Sequence, residues 1–128
     1  MHSVKHILWV DDEVDLLKPH IIFLENKGYK VSTVYSGEEA IEKCQETSFD
    51  LVLMDEMMPG LDGLSTLKII KDKNALIPII MVTKSEEEWL IDEAIAEKIA
   101  NYLIKPVNPT QVFIACKKIL DDEKIEKD

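Results

Sequence analysis

The chain has 128 residues, 46% of them apolar and 31% charged, which is one globular domain's worth of sequence. Its 25 acidic residues against 15 basic leave a formal charge of −10, which argues against unassisted binding to nucleic acid or to an anionic membrane. No apolar run reaches the roughly 18 residues of a membrane span, and Met1-His2-Ser3 has no signal-peptide anatomy. Cys44 and Cys116 stand singly, without CxxC spacing, as free thiols do in a reducing cytoplasm.

Residues 4–10 form an apolar run that predicts a first strand. Helical spacing follows from Glu13 to Lys27 through Val14, Leu17, Ile21 and Leu24, with Gly28 as the stop. Pro19 falls inside that helix, where it should kink the second turn or remove a hydrogen bond. Tyr29 to Tyr35 is the second strand. Ser36 with Glu39 is a capping-box pattern, opening a helix whose Ala40, Ile41 and Cys44 face inward. Asp50 to Met54 is the third strand, Pro59 to Gly63 a turn, and Leu64 to Lys71 the third helix. Ile77 to Val82 is the fourth strand. Ser85 with Glu88 is a second capping-box pattern, opening a helix to about Glu97. Ala100 to Ile104 is the fifth strand. Asn108-Pro109 caps the last helix, which carries Val112, Ile114 and Leu120. Residues 1–121 read as one domain, and 122–128 as a frayed helix end or the start of a linker.

Five strands alternating with five helices predict an α/β fold with a doubly wound parallel sheet, since the central strands are continuously apolar. The order 2-1-3-4-5 puts strands one and three side by side at the switch point, where such sheets bind ligands beyond their carboxyl ends. Four strands end there in chemistry: Val10 in Asp11-Asp12, Met54 in Asp55, Val82 in Thr83, and Ile104 in Lys105-Pro106. Each has an ordinary structural reading alone: an anionic helix turn, a turn former, a helix start, a solvated lysine. Their coincidence on one edge points to a site. Three close carboxylates raise one another's pKa, and a hard, oxygen-seeking Mg²⁺ ion resolves that repulsion. Its charge would let a carboxylate attack an anionic phosphorus, while Lys105 pairs with a phosphoryl oxygen and Thr83 donates to the same group. His2, His6 and His20 show no metal-ligand spacing.

As a set, Val10-Asp11-Asp12-Glu13, Leu53-Met54-Asp55, Met58 to Gly63, Val82-Thr83 and Lys105-Pro106 resemble the receiver domain of two-component response regulators, across nearly the whole chain. The resemblance implies the flavodoxin-like, CheY-like fold, with Asp55 as phosphoacceptor. By it Asp12 binds Mg²⁺ directly, Asp11 through water, and the Met57 backbone carbonyl completes the protein ligands. Thr83 and Lys105 contact the phosphoryl group, Lys105-Pro106 is joined by a cis bond, and Tyr102 is the aromatic switch residue that turns inward as Thr83 moves. The implied partners are a sensor histidine kinase or phosphotransfer protein. A homodimer through the fourth helix, fifth strand and fifth helix, and a C-terminal output domain, are further partners it implies. The segments Ile7 to His20 and Thr83 to Glu88 look similar to receivers that precede an alkaline-phosphatase-like domain.

Three departures stand out. Lys84 replaces the small residue usual after the threonine, Glu56 adds a carboxylate beside the site, and Met57 cannot orient an attacking water. With Ser85 following, slow self-dephosphorylation is expected. Trp89 is either an apolar contact point on the fourth helix or plain core. The leading reading is a phosphorylation switch rather than an enzyme. A Mg²⁺-dependent phosphatase would place a second acid where Met57 stands. The alternative is a degenerate receiver acting as a phosphorylation-independent interaction module, with Lys84 the one feature in its favour. No basic helix follows residue 110 to read DNA.

Overall fold

The three central strands bury side chains on both faces, as a parallel sheet covered by helices on both sides requires. In β1 (His6–Val10) Leu8 and Val10 point to one core, and Ile7 and Trp9 to the other. The same alternation runs through β3 (Leu51–Met54) and β4 (Ile79–Thr83), all of whose residues are buried. β2 (Lys30–Val34) and β5 (Asn101–Ile104) form the partly exposed edges of the sheet, whose order is β2-β1-β3-β4-β5 with every pairing parallel. The computed structural model describes residues 4–121.

One core lies under α2 (Gly37–Glu46), α3 (Gly63–Lys73) and α4 (Glu88–Ala96), through Ala40, Leu67, Ile70, Leu90 and Ala94. The other lies under α1 (Lys18–Asn26) and α5 (Pro109–Leu120), through Leu24, Val112, Cys116 and Leu120. Each fully buried leucine or isoleucine contributes roughly 1.5–3 kcal/mol. Ile114 departs from the inward pattern and lies exposed.

The expected first helix is two pieces. A 3-10 turn, Val14–Leu17, precedes α1, and Pro19 sits in the first turn of α1 rather than kinking its interior. Proline has no N–H to lose there, so the helix starts where the proline is tolerated. Gly28 does take the left-handed conformation after that helix, with φ +100°.

The capping patterns resolve differently from one another. Ser36 accepts from Glu39 N at 3.1 Å, but the Glu39 carboxylate reaches one residue further back, to Tyr35 N at 2.7 Å. Ser85 does not cap α4, which begins at Glu88 behind Glu87. The Ser85 hydroxyl instead accepts from Glu87 N within the loop, the local competition that serine offers a helix start. The reciprocal box lies at Asn108 and Gln111, both bonds 2.8 Å.

Candidate functional site

Strand register builds the site. Val10 pairs with Met54, and Asp55 N donates to Val10 O at 3.0 Å, so Asp11 and Asp55 leave the sheet side by side. On the other flank Lys105 N donates to Thr83 O at 2.8 Å, which brings the ends of β4 and β5 together. The Lys105–Pro106 peptide bond is cis, as the resemblance implied.

Carboxylate oxygens of Asp11, Asp12 and Asp55 lie within 4.8 Å of one another, the one such acidic cluster among the described residues. Asp11 is wholly buried and doubly engaged: one oxygen accepts from Glu13 N at 2.8 Å, the other from Lys105 Nζ at 2.7 Å. Asp12 lies more open than Asp11 or Asp55. The Lys105 ammonium is 3.9 Å from Asp55, so in this state it leans toward Asp11. Burial pushes the Asp55 carboxyl above its ordinary pKa, and the Asp11 charge adds to this. The Lys105 ammonium, the Thr83 hydroxyl and the Met57 backbone N–H pull the other way. Thr83 is fully buried at the end of β4.

The donor set suits a small hard cation: three carboxylates, oxygen only, with a lysine already neutralising the deepest one. The neighbours named in the sequence fall less uniformly. Glu56 is not part of the cluster; its carboxylate accepts from Leu64 N at 2.7 Å and so serves the start of α3. The Met57 side chain is 59% exposed. Lys84 is exposed and lines, with Leu17, His20, Lys105, Pro106 and Val107, a cavity of about 330 Å³. Tyr102 is half-buried, and its hydroxyl donates to Ser85 O at 2.9 Å, tying β5 to the loop after Thr83. His6 bonds Ser32, and neither it nor His20 joins the acidic cluster; His2 lies outside the described residues. Cys44 and Cys116 are free thiols, and burial pushes Cys116 up to about 12.

Gly63 was legible only as part of a turn. A Cβ there would overlap the Asp55 carbonyl oxygen and stand 2.8 Å from Glu56 Cα, so the start of α3 packs directly on the backbone that presents Asp55. Asp62, whose side chain accepts from Ser65 N at 2.8 Å, holds that start in place.

This fold and edge are those of a response regulator receiver domain: residues 7–117 match that family, and the chain belongs to it. In structure it is similar to a CheY-like receiver domain protein from Methanospirillum hungatei JF-1, with a TM-score of 0.90 at 29% identity over 97% of this chain and 99% of that one. It is also similar to the Vibrio cholerae chemotaxis protein CheY4, with a TM-score of 0.85 at 28% identity over 92% of this chain and 100% of that one. In sequence it is 37% identical over 114 residues to the transcriptional regulatory protein ResD of Bacillus subtilis, covering 89% of this chain and 47% of that protein. It is 35% identical over 123 residues to the alkaline phosphatase synthesis transcriptional regulatory protein PhoP of the same organism, covering 94% of this chain and 50% of that protein. The chain thus spans about half the length of these curated relatives. Among the described residues no helix is long and apolar enough to cross a membrane.

Proposed function

We propose that this domain is the phosphorylation-controlled switch of a cytoplasmic two-component system, with residues 1–121 as the receiver. Asp55 accepts a phosphoryl group from a histidine kinase or phosphotransfer protein. The observation that carries this reading is the acidic triad within 4.8 Å, with the Lys105 ammonium 3.9 Å from Asp55, on one sheet edge.

An Asp55 oxygen attacks the phosphorus of a phospho-imidazole. The P–O bond forms, the P–N bond breaks, and its electron pair returns to the ring nitrogen. Lys105 is within reach to pair with a phosphoryl oxygen, and Thr83 to donate its hydroxyl to another. Held by Asp12, Asp55, the Met57 carbonyl and, through water, Asp11, a Mg²⁺ ion would supply the positive charge that offsets anion–anion repulsion. The donor imidazole is already activated, so positioning and charge suffice, and the domain acts as a switch rather than as an enzyme in its own right.

The consequence is a shift between two conformations that already exchange. Movement of Thr83 toward the phosphoryl group disturbs the Tyr102–Ser85 link. The surface then altered is that of α4, β5 and α5, where Trp89, Ile95, Ile104 and Ile114 all lie exposed. That apolar surface fits a partner, an output domain or a second copy.

The test is intact mass after incubation with acetyl phosphate and Mg²⁺, with Asp55→Asn and a chelator as controls. One added phosphoryl group, absent in both controls, is the expected result. No addition and no Mg²⁺ binding would overturn the reading in favour of a phosphorylation-independent interaction module.

A further inference from the structure

His20 stands on α1, outside the acidic cluster, yet it reaches the segment that carries Lys105. Its Nε2 lies 2.8 Å from the carbonyl oxygen of Val107. A carbonyl only accepts, so Nε2 carries the hydrogen. Val107 is two residues past Lys105, and the residue between, Pro106, has no N–H with which to anchor itself. The loop is otherwise held from β4 by the Lys105 N to Thr83 O bond and from α5 by the Asn108 box.

The imidazole also packs edge-on against Trp9, with centroids 5.9 Å apart at 81°, and Trp9 is wholly buried two residues before Asp11. Nδ1 of His20 is buried without a hydrogen-bond partner among the described residues, as is Nε1 of Trp9. Orphaned polar atoms weaken a fold, so a leucine or phenylalanine would pack here at less cost. What a hydrocarbon side chain lacks is the Nε2–H bond.

We infer that His20 is a positioning residue for Lys105. By holding the Val107 carbonyl it fixes the loop after β5, so that the Lys105 ammonium stays between Asp11 and Asp55. The inference rests on the reading of Asp55 as the phosphoacceptor, and it adds a residue on α1 to the machinery of that site.

Three substitutions separate the bond from the bulk. His20→Leu keeps volume and removes the donor. His20→Gln places an amide N–H near the Nε2 position, and His20→Asn has a donor too short to reach. Phosphorylation by acetyl phosphate should be followed to saturation, with Mg²⁺ affinity read from tryptophan fluorescence and stability from urea unfolding. The Leu and Asn variants should lower the saturating rate about five- to tenfold, the equivalent of one hydrogen bond, and Gln should restore it to within about twofold. Mg²⁺ affinity should hold in all three. A wild-type rate in the Leu and Asn variants overturns the inference, as does a Gln variant as slow as Asn at equal stability. If Leu fails to fold, the Gln–Asn comparison decides. If the wild type accepts no phosphoryl group, the reading of Asp55 falls, and solvent exchange of the Lys105 Nζ protons by NMR still tests His20. That exchange should quicken in Leu and Asn but not in Gln, and unchanged exchange overturns the positioning role.

Discussion

Substituting Asp55 by Asn removes one of three carboxylates whose oxygens lie within 4.8 Å of one another, and the metal-free protein should gain stability from it. At no more than 4.8 Å and an effective dielectric of about 20, Asp11 and Asp12 each repel the Asp55 charge by about 3.5 kcal/mol or more. On the same scale the Lys105 ammonium, 3.9 Å from Asp55, attracts it by about 4 kcal/mol. The two repulsions together outweigh that attraction, so charge and burial both favour the neutral side chain. Burial is also the largest cause of the raised Asp55 pKa. Asn keeps an oxygen acceptor for Thr83 and Met57 N–H but carries no charge to desolvate. The expected gain is about 1–2 kcal/mol in urea unfolding at pH 7 with a chelator present, or roughly 3–4 °C in Tm per kcal/mol for a chain of this size.

The pH dependence has a definite sign. A carboxyl whose folded pKa lies above its unfolded value contributes stability at low pH, and that contribution is lost as pH rises through the folded pKa. The wild type should therefore close on the variant as pH falls toward the ordinary carboxylate range near about 4. Mg²⁺ works in the opposite direction, because binding at a hundred times Kd adds about 2.7 kcal/mol to the form that binds it. Saturating Mg²⁺ should then narrow or invert the order. A variant less stable than wild type in chelator at pH 7, or a gap that widens as pH falls, would refute the reasoning.

Two further substitutions probe the supports of the site. Gly63→Ala puts a Cβ against the Asp55 carbonyl oxygen and 2.8 Å from Glu56 Cα, neither of which moves without the strand end. It should cost about 2–4 kcal/mol in urea unfolding and weaken Mg²⁺ binding by calorimetry, whereas wild-type values would mean that α3 slides freely. Met57→Asn places a polar group on an exposed side chain beside Asp55, and should change the decay rate of the phosphorylated protein by intact mass. An unchanged half-life would show that residue 57 orients no water.

Much of the site was legible because each functional side chain ends an apolar run. Asp11, Asp55, Thr83 and Lys105 needed only strand order to become neighbours, and parallel strands with helical crossovers leave few orders to choose among. Glu56 does stand beside the site, where burial first and then the nearby Asp55 charge raise its pKa. The sequence did not show that its carboxylate is drawn to the open N–H groups of α3. Ser85 and Glu88 matched a capping pattern, but the helix begins too late for the hydroxyl to cap it. His20 gave no signal, since its partner Val107 lies 87 residues away.

Periodicity and turn chemistry are local, so the sequence by itself determined the five strands, the helices between them and the edge that carries the charge. Proline's missing N–H settled where α1 begins, though reading Pro19 as an interior residue misplaced that start. Tertiary structure alone decided which acid the lysine pairs with, since Lys105 reaches Asp11 at 2.7 Å and Asp55 at 3.9 Å. It alone decided that Gly63 must lack a side chain and that Trp89 faces outward. These are questions of distance across the fold. Burial and the competition between charges settle them only after the chain has closed on itself.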